Sequence, residues 1–126
     1  MGFLDRFISP SMKDTPAHWH ELNEEEQLDT IIEESKKQPV AIFKHSTSCG
    51  ISHSIKHRLE GDWDFEPSEL KFYYLDLLAF RPISNEVANR FGVIHQSPQV
   101  IVFKNGKPTF STSHHSISVS RIRQSL

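Results

Sequence analysis

Apolar residues along the chain fall into two patterns: short continuous runs, and sparser positions repeating every three or four residues, with Pro, Gly, Asn and Asp between them. The continuous runs Val40–Phe43, Phe72–Leu77 and Gln99–Lys104 are rich in branched and aromatic residues and predict strands, the first of them buried on both faces. Spaced positions predict four helices: Leu28, Ile31, Ile32 and Ser35; Ile51, Ile55 and Leu59; Ile83, Val87, Ala88 and Phe91; Ile117, Val119, Ile122 and Leu126.

Boundary chemistry sharpens this. Asn23 with Glu26 has capping-box spacing for the first helix, Lys36 and Lys37 suit its end, and Pro39 stops it. Gly61 is expected to end the second helix, Pro82 to open the third and Gly92 to end it. Asn105-Gly106 is the strongest hairpin signal, returning the chain through Thr109 to Thr112. Trp19 to Leu22 suits a short edge strand, and Asp62 to Glu69 a surface loop with Trp63 and Phe65 tucked beneath it. The resulting order predicts an α/β fold with a central mixed sheet flanked by helices. Residues 1–17, broken by Pro10 and Pro16, are expected to form a loosely ordered extension to a domain of residues 18–126; Phe3, Leu4, Phe7 and Ile8 allow an amphipathic turn or two.

Composition narrows the function. The chain has 126 residues, enough for one domain with a real core. Its 14 basic and 16 acidic residues leave a net charge of -2, so no basic field points to nucleic acid. No apolar run approaches a membrane span, no long apolar leader opens the sequence, and one cysteine cannot form an internal disulfide. The expectation is a cytoplasmic protein.

That one cysteine is the candidate for chemistry. Cys49 follows the first strand and the small polar residues Ser46, Thr47 and Ser48, at the start of the Ile51–Leu59 helix. With Ile51, Ile55 and Leu59 facing inward, Cys49 falls on the polar side together with His53, Lys56 and Glu60. A thiol at a helix start meets unpaired N–H groups and the positive end of the helix dipole, both of which favour thiolate. Gly50, Ile51, Ser52 and His53 are therefore candidate thiolate stabilisers, and His45 or His53 could add positive charge. A low-pKa thiolate also leaves readily from a mixed disulfide. Position 52, where a dithiol motif carries its second cysteine, is Ser52, so release must come from a thiol outside the chain. Lys44 and His45, ending the strand, are candidates for meeting an anionic small thiol. Cys49, His53 and His57 have the i, i+4 spacing of metal ligands, yet no clear further ligand set accompanies them, and no metal site is expected.

Three stretches resemble the YtxJ-type monothiol bacilliredoxins of the bacillithiol system: IFKHSTSCGIS at 42–52, RPISNEVANRFGVIHQSPQVIVFKNGK at 81–107, and TSHHSISV at 112–119. The family usually reads Thr-Cys-Pro-Ile-Ser at its active site; here Ser48 precedes Cys49, and Gly50 stands in the proline's place. The resemblance implies a thioredoxin-like fold and a thiol-disulfide oxidoreductase whose Cys49 removes bacillithiol, or a similar low-molecular-weight thiol, from S-thiolated proteins. It implies no tightly bound cofactor, the small thiol acting as co-substrate. It also implies a cis bond at Pro98 facing the cysteine, with Ser97 and Gln99 flanking the substrate through backbone groups. Two other readings compete. Cys49-Gly50-Ile51-Ser52 is similar to the Cys-Gly-Phe-Ser motif of monothiol glutaredoxins, which carry an iron–sulfur cluster between subunits, and the same fold can serve as a non-catalytic interaction module.

Overall fold

The computed structural model describes residues 18–126; the expected amphipathic turn at Phe3–Ile8 and the proposed extension lie outside them. The elements are β1 (Trp19–Glu21), α1 (Gln27–Glu34), β2 (Val40–His45), α2 (Gly50–Asp62), β3 (Lys71–Asp76), α3 (Arg81–Phe91), β4 (Gln99–Lys104), β5 (Lys107–Ser113), a 3-10 turn at His114–Ser116, and α4 (Val119–Gln124). They build a five-stranded mixed sheet in the order β1-β3-β2-β4-β5. β3 runs parallel to β1 and β2, while β4 is antiparallel to both β2 and β5.

β2 is central, and all six of its residues are buried. Alternation along it supplies both cores. Ala41 and Phe43 join Phe72, Tyr74, Val100 and Val102 beneath Ile55 and Leu59 of α2 and Ile122 of α4. Val40 and Ile42 join Tyr73, Leu75, Ile101 and Phe103 beneath Leu28 and Ile31 of α1 and Ile83 and Val87 of α3. Each of the Val, Leu, Ile and Phe side chains among them contributes about 1.5–3 kcal/mol by leaving water, so both layers are fixed to β2 from opposite sides. The connector from Trp63 to Glu69 behaves as expected. Phe65 is buried, and the half-buried Trp63 packs edge-on against Trp19 at 5.0 Å and Phe72 at 4.6 Å.

The hairpin forms where Asn105-Gly106 predicts it. Both residues have positive φ, 56° and 85°, as a two-residue turn between twisted strands requires. Ser35 at the end of α1 accepts the Asn105 N–H through its carbonyl and the Gly106 N–H through its hydroxyl, each at 2.8 Å. Gly92 ends α3 in the left-handed region, as its position predicts.

Three details differ from expectation. The first helix begins at Gln27, and it is Gln27 Oε1, not Glu26, that reaches back to accept the N–H groups of Asn23 and Glu24 at 2.8 and 2.9 Å. Gly61 does not stop α2, which runs on to Asp62 and ends at extended Trp63. The helix is also rotated from the predicted phase: Ser52, Ile55, Lys56 and Leu59 are its buried residues, whereas Ile51 is 41% exposed. Lys56 goes inward because its stem covers Tyr74, its ammonium 5.7 Å from the ring centroid, while Glu60 four residues on accepts its charge at 2.6 Å. No helix among the described residues is long and apolar enough to cross a membrane.

Candidate active site at the start of the second helix

β2 delivers the chain to the site and the serines turn it. Cys49 N–H donates to the Ser46 carbonyl at 3.2 Å, and the hydroxyls of Ser46 and Ser48 meet at 3.3 Å. Cys49 is the N-cap of α2, extended at φ -105° and ψ 123°, and its carbonyl accepts the first helical bond, from His53 N–H at 3.0 Å. The thiol is partly exposed rather than sealed in the core.

The Ser52 N–H lowers the Cys49 pKa most, followed by the Ile51 N–H, with a smaller contribution from the Ser52 hydroxyl; the little burial there is acts the other way. These are the free donors at a helix start, arranged around sulfur. Gly50 and His53 are not among the groups that lower it. Ser52 is fully buried, and its Oγ accepts the Ser46 N–H at 3.4 Å.

Two candidates next to the loop have other roles than expected. Lys44 shares a face of β2 with Val40 and Ile42, so its side chain is fully buried on the α3 side. Its Nζ donates to the Ser84 carbonyl and meets His95 Nδ1, both at 3.2 Å, and burial pushes it down to about 8. An ammonium so enclosed is not offered to an anionic thiol. His45 is 2% exposed; burial above all, then Lys56 and His53, push it down to about 4. It is neutral near pH 7 and supplies no positive charge to the thiolate.

The Ser97-Pro98 peptide bond is cis. Pairing of Gln99 with Lys44 sets Pro98 at the level of His45, the end of the sheet where β2 gives way to the cysteine loop. The Pro98 carbonyl accepts His114 N–H at 3.0 Å. Gln99 is buried, and its side chain works behind the loop, with Nε2 donating to the Ile94 carbonyl at 3.0 Å and Oε1 accepting the Gln96 N–H at 3.2 Å. Ser97 Oγ is buried without a partner. Cys49, Ile51, Ser52, Ser97 and Pro98 thus lie at one pole of the sheet, while Lys44 and Gln99 brace that pole from within. Ser84 and His95 were not expected; strand alternation gave a partial signal, since it places Lys44 beside Val40 and Ile42. Among the described residues no group of three or more His, Cys, Asp or Glu is placed to hold a metal ion.

Thioredoxin-fold proteins share this architecture. One solved structure with a thioredoxin fold is 30% identical over 86% of this chain and 93% of its own, at a TM-score of 0.73. Thioredoxin from Malassezia sympodialis is similar over 87% of this chain and 89% of its own, with 20% identity and a TM-score of 0.67. Fasciola hepatica thioredoxin covers 83% of this chain and 93% of its own, with 21% identity and a TM-score of 0.62. The family model of monothiol bacilliredoxin BrxC matches residues 20–122. A thioredoxin fold with one cysteine at the start of its second helix, matched by that model over most of its length, belongs to the monothiol bacilliredoxin BrxC family.

Proposed function

We propose that this protein removes bacillithiol from S-thiolated proteins by monothiol exchange. The carrying observation is the partly exposed Cys49 at the N-cap of α2, its pKa lowered by the N–H groups of Ser52 and Ile51, in a chain whose position 52 is serine. Cys49 thiolate attacks the bacillithiol sulfur of a protein–bacillithiol disulfide. A new sulfur–sulfur bond forms between Cys49 and bacillithiol, the old one breaks, and the protein cysteine leaves as thiolate. A second small thiol then attacks the Cys49 mixed disulfide and frees the enzyme. Because Cys49 has a lowered pKa, it is a good leaving group in this second step. Bacillithiol is thus a co-substrate, no tightly bound cofactor is required, and the cytoplasm, with its reducing thiol pool, is the setting that suits the cycle.

In the exchange, the backbone around Ser97 and Pro98 faces the incoming chain, and Ile51 offers apolar contact beside the sulfur. The decisive experiment incubates a protein bearing a bacillithiol mixed disulfide with the wild type and with Cys49→Ser, and follows both partners by intact mass. One bacillithiol adduct on the wild type, none on the variant, and loss of the adduct from the substrate are expected. Absence of an adduct on the wild type would remove the mechanism. An anaerobically purified protein that is brown and dimeric would favour the iron–sulfur carrier instead.

A further inference from the structure

One rung of the sheet, between the cysteine loop and the cis proline, carries two polar side chains into a mainly apolar layer. Lys44 of β2 pairs with Gln99 of β4, and both are buried; residues directly opposite across two strands share a face. They reach the same short segment. Gln99 Nε2 donates to the Ile94 carbonyl at 3.0 Å, and Gln99 Oε1 accepts the Gln96 N–H at 3.2 Å. Between these two bonds, Lys44 Nζ meets His95 Nδ1 at 3.2 Å. An ammonium only donates, so Nδ1 accepts and the ring proton sits on Nε2. Burial, then the cations Lys44 and Arg81, hold the His95 pKa below its ordinary value and keep the ring neutral for that role. The second Lys44 bond, to the Ser84 carbonyl at 3.2 Å, ties the same ammonium to α3.

Three successive residues, Ile94, His95 and Gln96, are thus fastened from beneath while their outer sides stand in water: all three are exposed, Ile94 to 81%. A segment that only joined α3 to β4 would need no buried cation, since methionine would fill the same space without desolvating a charge. A local rule broken in this way marks a place where position matters more than stability. The next residues are Ser97 and Pro98, joined by the cis bond, whose backbone is assigned to the incoming chain. We propose that Lys44 is a positioning residue for the protein substrate: through His95 Nδ1 it fixes the Ile94–Gln96 segment, and so sets where the Ser97–Pro98 backbone meets the extended chain carrying the S-thiolated cysteine. This rests on the reading of Cys49 as the exchanging thiol, but the clamp itself is followed by a measurement that needs no bacillithiol.

The test compares the wild type with His95→Leu, which removes the acceptor at an exposed position, with His95→Asn, whose Oδ1 can stand in for Nδ1, with Lys44→Met, and with the double variant Lys44→Met/His95→Leu. Amide hydrogen exchange reports on the segment. The Gln96 N–H should exchange about fivefold faster in His95→Leu and in Lys44→Met, the worth of roughly one hydrogen bond, and His95→Asn should return most of that. Transfer from a bacillithiolated protein should lose about fivefold in kcat/KM in either single variant, with little further loss in the double variant, because both delete the same bond. The Cys49 midpoint, followed by thiolate absorbance in the ultraviolet against pH, should stay at its wild-type value. Wild-type exchange at Gln96 in both single variants overturns the clamp, as does a His95→Asn variant loosened as far as His95→Leu. A loosened segment with undiminished transfer, losses that add in the double variant, or a shifted Cys49 midpoint overturns it too. So does a Lys44→Met variant that transfers normally while His95→Leu does not, since His95 would then touch the substrate itself. A wild type that transfers nothing removes the reading of Cys49 instead, and exchange at Gln96 still decides whether Lys44 holds the segment.

Discussion

Lys44 is the residue at which charge and burial conflict most, and replacing it with methionine turns that conflict into a measurement. Its side chain is fully buried, its contacts are the Ser84 carbonyl and His95 Nδ1, and neither bears a negative charge. Desolvation takes it from 10.5 to about 8. In the unfolded chain the lysine keeps its ordinary value, so between about pH 8 and 10.5 the unfolded state binds more protons than the folded one. Stability contributed by this site therefore rises with pH across that window and stays at its lowest below it. At about 1.36 kcal/mol per pH unit, full relief is roughly 3 kcal/mol, of which about 2 kcal/mol falls between pH 7 and pH 10 after discounting for water penetration. Methionine has similar length and no charge, so Lys44→Met removes the titration while filling most of the space. Urea unfolding of both proteins at pH 7 and pH 10 is the assay, because other titrating groups are common to both chains and cancel in the difference. Relative to the variant, the wild type should gain about 2 kcal/mol at the higher pH. A difference that stays the same at both pH values would refute the desolvated ammonium.

Gly50 is the first helical residue of α2, a Cβ built there meets nothing within 4 Å, and Cys49 before it is already in the extended conformation that proline demands of its neighbour. Gly50→Pro should keep the helix and add about 0.4–1 kcal/mol in urea unfolding; a loss of stability would show that the first turn depends on the glycine. Ser52→Ala deletes the hydroxyl donor but keeps the N–H, so the Cys49 midpoint should rise yet stay below that of an ordinary thiol. Leaving Ser46 N–H without its acceptor should cost about 1–3 kcal/mol besides. An unchanged ultraviolet titration for Ser52→Ala would exclude the hydroxyl from the site.

Much of the scaffold was legible because its signals are local. The run Val40–Phe43, the turn at Asn105-Gly106 and the stop at Gly92 each fix backbone geometry through their own residues, and each is realised. The place of Cys49 at a helix start was legible for the same reason. What escaped depends on partners far away in the chain. Lys44 meets Ser84 and His95, 40 and 51 positions on, so nothing near it in the sequence tells a solvated lysine from a buried one. The phase of α2 departs from its apolar spacing because Lys56, polar by type, packs its stem inward while Glu60 answers its charge. The residue type of His45 allows a positive charge near the cysteine, but burial among its neighbours keeps the ring neutral. At the first helix, Glu26 and Gln27 are both able to reach back, and only the path of the chain out of β1, where Leu22 N–H donates to the Tyr74 carbonyl at 2.8 Å, selects the second.

The two margins of the sheet are poor templates for a further strand. β1 has three residues; β5 carries Lys107 and Pro108, and its pairing with β4 is broken by a shift in register near Val102 and Phe103. Short length, a lysine, a proline and an irregular ladder are the devices that keep exposed backbone from recruiting another chain. Edge-to-edge fibre growth is thereby discouraged along both flanks, and concentrated solutions of the folded protein should resist amyloid-type assembly.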